Sequence, residues 1–310
     1  MQGFKVLSVN ISEKKGTVKH PVTQIKVNEK GVENDAHAGM QNRNISLLGI
    51  ESFRKFELEA NRKLSFGEFA ENITTEGIEL FKANPLDCFE SNNIVLEVTQ
   101  IGKKCHGDRC NIFREVGNCV MPKEGIFVRV KKNGIVSAGD FFEYKARIFK
   151  ILVLTLSDRA AAGEYEDKSG PRLIEHLTKH FALQNRLINI QYQLIPDSIE
   201  LLEEYIRKLS EEKYDLFFTT GGTGIGPRDI TVDVIKKYIT KEIPGIMDLI
   251  RFKYGAEKPQ VLVSRSVAGL IDQSLTFTLP GSTKAVDEYM TEILKSLNHL
   301  IYMLNGLDIH

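Results

Sequence analysis

A glycine-rich segment in the second half of the chain carries the residues best suited to chemistry. Residues 219–231 read Thr-Thr-Gly-Gly-Thr-Gly-Ile-Gly-Pro-Arg-Asp-Ile-Thr, between an apolar run and a helical pattern. Glycines let backbone N–H groups approach an anion closely, and the start of a helix adds positive potential. At the carboxyl edge of an α/β sheet, such a loop is typical of a phosphate-binding site.

Two familiar nucleotide-binding loops do not match this segment. A P-loop has Lys followed by Ser or Thr after its last glycine, but Pro227 and Arg228 follow Gly226. A dinucleotide fingerprint has Gly-x-Gly-x-x-Gly after the first strand, whereas this loop has shorter spacing and follows the third predicted strand. A tight structural turn remains the alternative interpretation of the loop alone.

The elements around the loop alternate between strands and helices. Apolar runs predict strands over 148–154, 188–195, 215–219 and 275–279. Helical patterns begin at Ser169, Ile199, Thr231, Pro244 and Lys284. We therefore expect residues 148–310 to form a three-layer α/β domain with a mostly parallel sheet.

The first half has a different pattern, with short alternating segments over 5–9, 22–27, 94–98 and 126–130. A single helix is predicted from Leu47 to about Glu59. Many short strands with one helix predict a β-rich, barrel-like domain. Because the pattern changes after Asp140, we place this domain at residues 1–144.

The bulk composition narrows the class of protein. The chain has 310 residues with 41 basic and 41 acidic side chains, so it lacks the positive field of a nonspecific nucleic-acid binder. No signal-peptide pattern is present at the start, and the apolar run 148–156 is too short to cross a bilayer. We expect a cytoplasmic protein without nucleic-acid or membrane partners. Its four cysteines (Cys88, Cys105, Cys110, Cys119) should then be reduced.

The second half carries an ordered series of motifs. They are Leu-Ser-Asp-Arg at 156–159, Asp-Lys-Ser-Gly-Pro at 167–171, Leu-Ile-Pro-Asp at 194–197, the glycine loop, and Leu-Pro-Gly at 279–281 with Lys284. The series resembles the molybdopterin adenylyltransferase family of molybdenum-cofactor assembly. The resemblance implies that the terminal phosphate of molybdopterin is joined to the α-phosphorus of MgATP, with release of pyrophosphate. It also implies a homotrimer.

The resemblance assigns roles to individual residues. Asp197 and Asp229 match the family's catalytic acidic positions, and carboxylates suit Mg²⁺; capping of a turn or helix is the alternative role. Asp158 and Asp167 are weaker candidates for the same work. The implied substrate- and phosphate-binding residues are Ser157, Asp158, Ser169, Gly170, Thr220, Gly221, Gly222, Thr223, Gly224, Thr231, Pro280, Gly281 and Lys284. In one departure, residues 271–274 lack the basic residue that family members often have there.

The first half carries its own series: Asp-Ala-His-Ala-Gly at 35–39, Arg43, residues 69–77, Cys-His-Gly-Asp-Arg-Cys at 105–110, and residues 117–127. This series resembles a MOSC domain, the module named for molybdenum-cofactor sulfurases. The resemblance implies binding of the molybdenum cofactor or carriage of sulfur on a cysteine. The residues it points to are Cys110, Cys119, His37 and Arg43. The alternative is a zinc site of Cys105, His106, Cys110 and Cys119, although adjacent Cys-His ligands suit one tetrahedral ion poorly.

Together the two resemblances predict a bifunctional enzyme of molybdenum-cofactor biosynthesis that uses ATP, Mg²⁺ and molybdopterin. They also suggest molybdenum-insertion and sulfur-donor proteins as partners. Two alternatives stay open: a non-catalytic pterin-binding scaffold, and a MOSC sulfur carrier whose second domain serves only for docking. Binding of MgATP and release of pyrophosphate distinguish the enzyme from the scaffold.

Overall fold

A computed structural model describes residues 2–40, 42–92, 94–103 and 120–307. The predicted residues Cys105, His106, Cys110 and Cys119 lie outside these ranges. The chain forms two compact units, one built from residues up to Arg147 and one from Ile148 to Gly306. In the described part of the chain, no helix is long and apolar enough to cross a membrane.

The first unit contains a closed barrel of seven strands in the order β11-β7-β8-β9-β5-β6-β1, closed by the pairing of β1 with β11. The barrel strands are β1 (Gly3–Ile11), β5 (Ile45–Gly49), β6 (Ile73–Glu76), β7 (Cys88–Ser91), β8 (Ile94–Ile101), β9 (Ile126–Lys132) and β11 (Phe141–Lys145). Strand β2 (His20–Val22) pairs with β1, while β3 (Gln24–Asn28), β4 (Gly31–Val32) and β10 (Gly134–Ser137) form a small second sheet. The β-rich, barrel-like prediction for this half is confirmed.

Alternating apolar residues fill the barrel. Phe4 and Val6 on β1 are fully buried, and the ring of Phe4 lies 5.0 Å from Phe89 and 5.3 Å from Phe142. Side chains two residues apart point to the same face of a strand, so this spacing directs β1 into the core. Aromatic pairs at these distances add to the stabilisation from burial.

Two predicted element boundaries in this unit are wrong. The helix α1 (Ile50–Ala60) begins three residues later than predicted, because Leu47 belongs to the wholly buried strand β5. A short apolar run does not by itself distinguish a buried strand from the start of a helix. The single strand expected over 22–27 is divided between β2 and β3.

The second unit contains a six-stranded sheet in the order β13-β12-β14-β17-β16-β15. Pairs β12–β13, β12–β14 and β14–β17 are parallel, whereas β16 and β15 extend the sheet with antiparallel pairs. The strands are β12 (Ile148–Leu156), β13 (Leu187–Ile195), β14 (Leu216–Thr220), β15 (Lys241–Glu242), β16 (Ala268–Ile271) and β17 (Ser274–Leu279). The helices are α2 (Asp158–Ala161), α3 (Ser169–Ala182), α4 (Ile199–Glu211), α5 (Thr231–Lys236), α6 (Pro244–Gly255) and α7 (Thr283–Leu304).

Helices contact side chains from both faces of β12. Leu152 and Leu154 pack in one core cluster with Leu202 of α4 and Ile235 of α5. Phe149 lies on the opposite face of β12, and its ring centroid lies 5.3 Å from that of Phe181 in α3. The mostly parallel α/β sheet predicted for this half is present. Its parallel strands β12, β13, β14 and β17 all end at one edge, which places the loops that follow them side by side.

Candidate functional site

A cavity of about 790 Å³ opens where these four parallel strands end. It is bordered by the segments that follow β12, β13, β14 and β17. Twelve of the residues predicted from the sequence line it: Ser157, Asp158, Ser169, Asp197, Gly221, Gly222, Thr223, Gly224, Asp229, Pro280, Gly281 and Lys284. The fold therefore brings together residues that are up to 127 positions apart, from Ser157 to Lys284.

The first two glycines of the loop are required by its conformation. Gly221 and Gly222 have φ values of +101° and +62°, in the left-handed region that favours glycine. A Cβ on Gly221 would lie 2.2 Å from the backbone oxygen of Leu156, and one on Gly222 would lie 2.3 Å from Thr231 Oγ1. The loop is thus packed directly against the end of β12 and the start of α5.

Four consecutive carbonyl groups of the loop accept hydrogen bonds. Thr231 donates from Oγ1 to the Gly221 oxygen at 2.9 Å and from its backbone N–H to the Gly222 oxygen at 3.2 Å. Arg265 donates from its backbone N–H to the Thr223 oxygen at 3.0 Å and from Nε to the Gly224 oxygen at 2.8 Å. The loop's acceptors are therefore engaged by α5 and by the segment preceding β16.

Three consecutive N–H groups of the same loop are unpaired among the residues that the structure describes. Within the residues that the structure describes, the backbone N–H groups of Gly222, Thr223 and Gly224 have no hydrogen-bond partner. All three residues line the cavity. Successive unpaired N–H groups form a concave site for an anion, and here they precede the N-terminus of α5. The loop can therefore bind a phosphate group through its main chain.

Three residues that were predicted to bind substrate do not line the cavity, and they instead stabilise the segments that do. Thr220 is fully buried and donates from Oγ1 to the backbone oxygen of Pro280 at 2.9 Å, which ties the glycine loop to the Leu-Pro-Gly turn. Thr231 is also fully buried, and its bonds to the loop are those given above. Gly170 donates its N–H to Asp167 Oδ2 at 3.0 Å, and a Cβ there would lie 2.5 Å from the ring of Tyr192.

Asp167, a weaker candidate for catalysis, anchors the start of α3 instead. Its carboxylate accepts hydrogen bonds from Thr155 Oγ1 at 2.7 Å, Tyr192 Oη at 2.6 Å and Ser169 Oγ at 2.7 Å. The backbone N–H groups of Ser169 and Gly170 donate to it at 2.9 and 3.0 Å. Burial opposes ionisation of Asp167, but these bonds outweigh it and lower its pKa. With this many partners, Asp167 is a fixed structural anion, and it does not line the cavity.

The remaining carboxylates form an acidic wall beside the N–H groups. Asp158, Asp197 and Asp229 all line the cavity. Burial, together with the negative charges of Asp158 and Asp229, raises the pKa of Asp197 despite a backbone hydrogen bond from Asp158 and the charge of Arg228. Asp229 Oδ2 also accepts the Gly226 N–H at 2.7 Å, so the capping alternative describes part of its role.

These carboxylates fit a magnesium ion better than a metal held by protein alone. Among the described residues, no group of three or more His, Cys, Asp or Glu side chains is arranged to hold a metal. Mg²⁺ takes one or two protein carboxylates and fills its shell with water and substrate phosphates. Mutual repulsion among the three aspartates would be relieved by such a cation, since it offsets the charge that raises the pKa of Asp197.

Sequence reasoning missed several cavity residues. Lys258, Tyr165 and Tyr289 line the cavity, and Lys258 forms an ion pair with Glu288. Arg265, which holds the glycine loop, was also missed. These residues come from segments without a recognisable motif, so no local pattern indicated them. A search for cations between β15 and β16 could have found Lys258 and Arg265.

In the first unit, the structure places two of the four predicted cofactor residues. His37 is partly exposed, and its Nδ1 lies 3.4 Å from Nζ of the fully buried Lys19. Lys19 forms a buried ion pair with Asp35, whose carboxylate also accepts the backbone N–H of His37 at 3.0 Å. Arg43 donates from Nε to Gln100 Oε1 at 3.0 Å. The other two, Cys110 and Cys119, are outside the described residues.

Comparison with known families identifies two regions. Residues 152–299 match the family described as a probable molybdopterin binding domain, and residues 34–143 match the MOSC domain. The first region contains the whole glycine loop with Asp197 and Asp229. The second contains His37, Arg43 and all four cysteines.

Three named relatives each match about half of the chain. Molybdenum cofactor biosynthesis protein B of Staphylococcus aureus strain COL is 35% identical over 161 residues, which is 51% of this chain and 93% of that protein. Molybdopterin adenylyltransferase of Helicobacter pylori strain J99 is 36% identical over 155 residues, 50% of this chain and 86% of that protein. Gephyrin of Dictyostelium discoideum is 37% identical over 160 residues, 50% of this chain, and the match spans 22% of gephyrin.

Among solved structures, the tungsten cofactor synthesizing protein MoaB of Pyrococcus furiosus is 33% identical. The match covers 51% of this chain and 98% of that protein, with a TM-score of 0.46.

Proposed function

This chain belongs to the molybdenum cofactor biosynthesis family of molybdopterin-binding proteins and contains a MOSC domain, and on that premise we propose that residues 148–310 are a molybdopterin adenylyltransferase. The proposed reaction joins the terminal phosphate of molybdopterin to the α-phosphorus of ATP and releases pyrophosphate. One observation carries the proposal. Three consecutive N–H groups, Gly222 to Gly224, have no hydrogen-bond partner among the described residues, and they line the same cavity as Asp197 and Asp229.

The chemistry that the site must provide is mainly electrostatic. A phosphate monoester has a second pKa of about 6, so it is already largely dianionic near pH 7 and requires no general base. The main obstacle is bringing two anions together, which calls for fixed dipoles and cations. The N–H groups of the glycine loop supply such dipoles and need little rearrangement, because the loop's carbonyls are already held by Thr231 and Arg265.

The acidic wall has a complementary role. Asp197 and Asp229 would hold Mg²⁺, which supplies charge neutralisation on the phosphate oxygens when it is bound. Asp158 fixes the main chain at Asp197 by accepting its backbone N–H at 2.9 Å. Lys284, elsewhere in the cavity lining, supplies positive charge for the anionic substrates, while the charge of Lys258 is paired with Glu288.

For residues 1–144, we propose a role as the MOSC domain that binds molybdenum cofactor or carries sulfur, with Cys110 as the principal residue and Cys119 as the second. His37 and Arg43 would contribute polar contacts. The partner classes are molybdenum-insertion and sulfur-donor proteins, and the proposed assembly is a homotrimer formed through the second domain.

The test is product identity. Purified protein is incubated with MgATP and molybdopterin, and the products are identified by mass spectrometry. We expect adenylated molybdopterin together with pyrophosphate. Molybdopterin binding without adenylation would instead support the non-catalytic scaffold, and binding of neither substrate would leave only the MOSC sulfur-carrier alternative.

A further inference from the structure

Arg265 contacts the glycine loop at three points. Its backbone N–H donates to the Thr223 oxygen at 3.0 Å, and its side-chain Nε donates to the Gly224 oxygen at 2.8 Å. Its Nη2 donates to the Asp229 oxygen at 3.1 Å. One residue therefore contacts the carbonyl groups at both ends of the loop's exposed tip, while Arg265 itself is absent from the cavity lining.

A carboxylate fixes the orientation of the guanidinium group. Asp233, in the first turn of α5, accepts hydrogen bonds from Nη1 and Nη2, each at 2.8 Å. This paired arrangement matches the planar fork of arginine, and lysine has no equivalent fork. The side chain of Arg265 is thereby held between α5 and the loop.

The geometry of the peptide bond connects these contacts to the free N–H groups. In a trans peptide, the carbonyl of one residue and the N–H of the next point in opposite directions within one rigid plane. The backbone N–H of Arg265 holds the Thr223 carbonyl, which fixes the direction of the Gly224 N–H, while the side chain of Arg265 holds the Gly224 carbonyl and so fixes the next peptide plane. In the same way, Thr231 holds the carbonyls of Gly221 and Gly222, which fixes the N–H groups of Gly222 and Thr223.

We propose that Arg265 is a positioning residue that fixes the Gly224 end of the glycine loop in its phosphate-binding conformation, while Thr231 fixes the other end. This inference rests on the proposed function of the cavity. Arg265 acts on a phosphate or pyrophosphate group through the main chain of the loop, and contact with the substrate is not required. The arrangement divides the three N–H groups between two independent supports.

The experiment uses inorganic pyrophosphate as the probe and the full chain. Binding is measured by calorimetry for wild type, Arg265→Ala and Arg265→Lys, and the backbone N–H signals of Gly222 and Gly224 are followed by NMR during titration. Loss of the orienting bonds should weaken pyrophosphate binding about tenfold in both variants, because Lys keeps the charge and lacks the fork. Both variants keep the backbone N–H that holds the Thr223 carbonyl and lose only the side-chain contacts to the Gly224 and Asp229 carbonyls. In Arg265→Lys, the Gly224 signal should therefore respond less than in wild type, while the Gly222 signal keeps its full response.

Two further variants separate positioning from charge or stability. Arg172→Ala removes another arginine that pairs with two carboxylates, Glu175 and Asp287, outside the cavity lining. This variant should bind pyrophosphate within about twofold of wild type, since an exposed ion pair is worth little. Asp233→Asn removes one of the two oxygens that hold the guanidinium of Arg265, so it should share part of the loss of pyrophosphate binding seen in Arg265→Lys.

The binding and NMR results distinguish failure of the positioning role from failure of the proposed function. Wild-type affinity in Arg265→Lys, with an unchanged Gly224 response, would overturn the positioning role and leave the proposed function standing. Absence of pyrophosphate binding by wild type would overturn both. If Arg265→Ala fails to fold, the Arg265→Lys comparison and the wild-type response of Gly224 still decide the question.

Discussion

The side-chain carboxylates of Asp158 and Asp197 each accept a hydrogen bond from the backbone N–H of the other residue. The Asp158 N–H donates to Asp197 Oδ2 at 3.1 Å, and the Asp197 N–H donates to Asp158 Oδ1 at 2.9 Å. This reciprocal pair of hydrogen bonds joins the segment that follows β12 to the segment that follows β13. It also keeps two negative charges close together, which contributes to the raised pKa of Asp197.

The first prediction concerns the acid limb of the pH–activity profile. If the carboxylate form of Asp197 is required, kcat/KM, which reports the enzyme before Mg²⁺ and substrate bind, should fall as the pH drops through its raised pKa, so the limb should lie above the ordinary aspartate value of 3.8. Asp158→Asn removes one repelling charge and keeps an acceptor for the Asp197 N–H. The limb of kcat/KM should therefore move to lower pH. In the control variant Asp248→Asn, which alters an exposed carboxylate, the acid limb should not move. If the limb also fails to move in Asp158→Asn, Asp197 is not the group that sets the acid limb.

The second prediction separates the two roles of Asp229. In Asp229→Asn, the side-chain oxygen can still accept the Gly226 N–H, but the negative charge is lost. Adenylation should be abolished while Tm stays within a few degrees of wild type, the shift expected for a change of under about 1 kcal/mol. Steady-state kinetics and calorimetric melting check this directly. Wild-type turnover would mean that Asp229 only caps the turn.

The third prediction concerns the stability of the barrel. Glu71 is almost fully buried, its Oε2 has no hydrogen-bond partner in the described part of the chain, and burial raises its pKa to about 7. The native state therefore holds a proton that the unfolded chain releases above about pH 4.5. The contribution of Glu71 to stability should be greatest below pH 4.5 and fall by on the order of 3 kcal/mol as the pH rises to about 7.

Hydrogen exchange of peptides from β6 measures this local stability as a function of pH. Glu71→Gln carries no titratable group at this position and should give a flatter profile over the same range. An equally steep decline in Glu71→Gln would assign the effect to another group.

The fourth prediction ranks the cysteines. Burial, together with the charges of Glu97, Glu90 and Asp87, raises the pKa of the Cys88 thiol to about 11, so little thiolate is present near neutral pH. Cys110 follows Arg109 in the sequence and should react first with limiting iodoacetamide, with Cys119 second. Peptide mapping identifies the labelled residue. Labelling of Cys88 ahead of Cys110 would reverse the ranking, and protection of Cys105, Cys110 and Cys119 until a chelator is added would favour zinc.

The sequence predicted the parts of the site that depend on contiguous residues. The glycine loop could be recognised because its glycines, Asp229 and the start of α5 follow one another within a single segment. The parallel strands that position it were also recognisable, since continuous apolar runs such as 148–154 indicate strands buried on both faces.

Other features depend on tertiary contacts that no local pattern encodes. Arg265 supports a loop about 40 positions earlier in the chain, and only the fold of the segment before β16 brings it there. Thr220, Gly170 and Thr231 were predicted to bind substrate, but hydrogen bonds place them behind the cavity wall instead. The start of α1 was misplaced because the apolar strand β5 leads directly into the helix at Ile50.

Pyrophosphate release tests the central claim most directly. Purified protein is supplied with MgATP, and pyrophosphate is measured with and without molybdopterin, with Asp229→Asn as the paired variant. We expect pyrophosphate to form only when molybdopterin is present and only with an intact Asp229. Equal turnover of ATP without molybdopterin would contradict the account and indicate a general ATPase, while no pyrophosphate in the complete mixture would contradict adenylation itself.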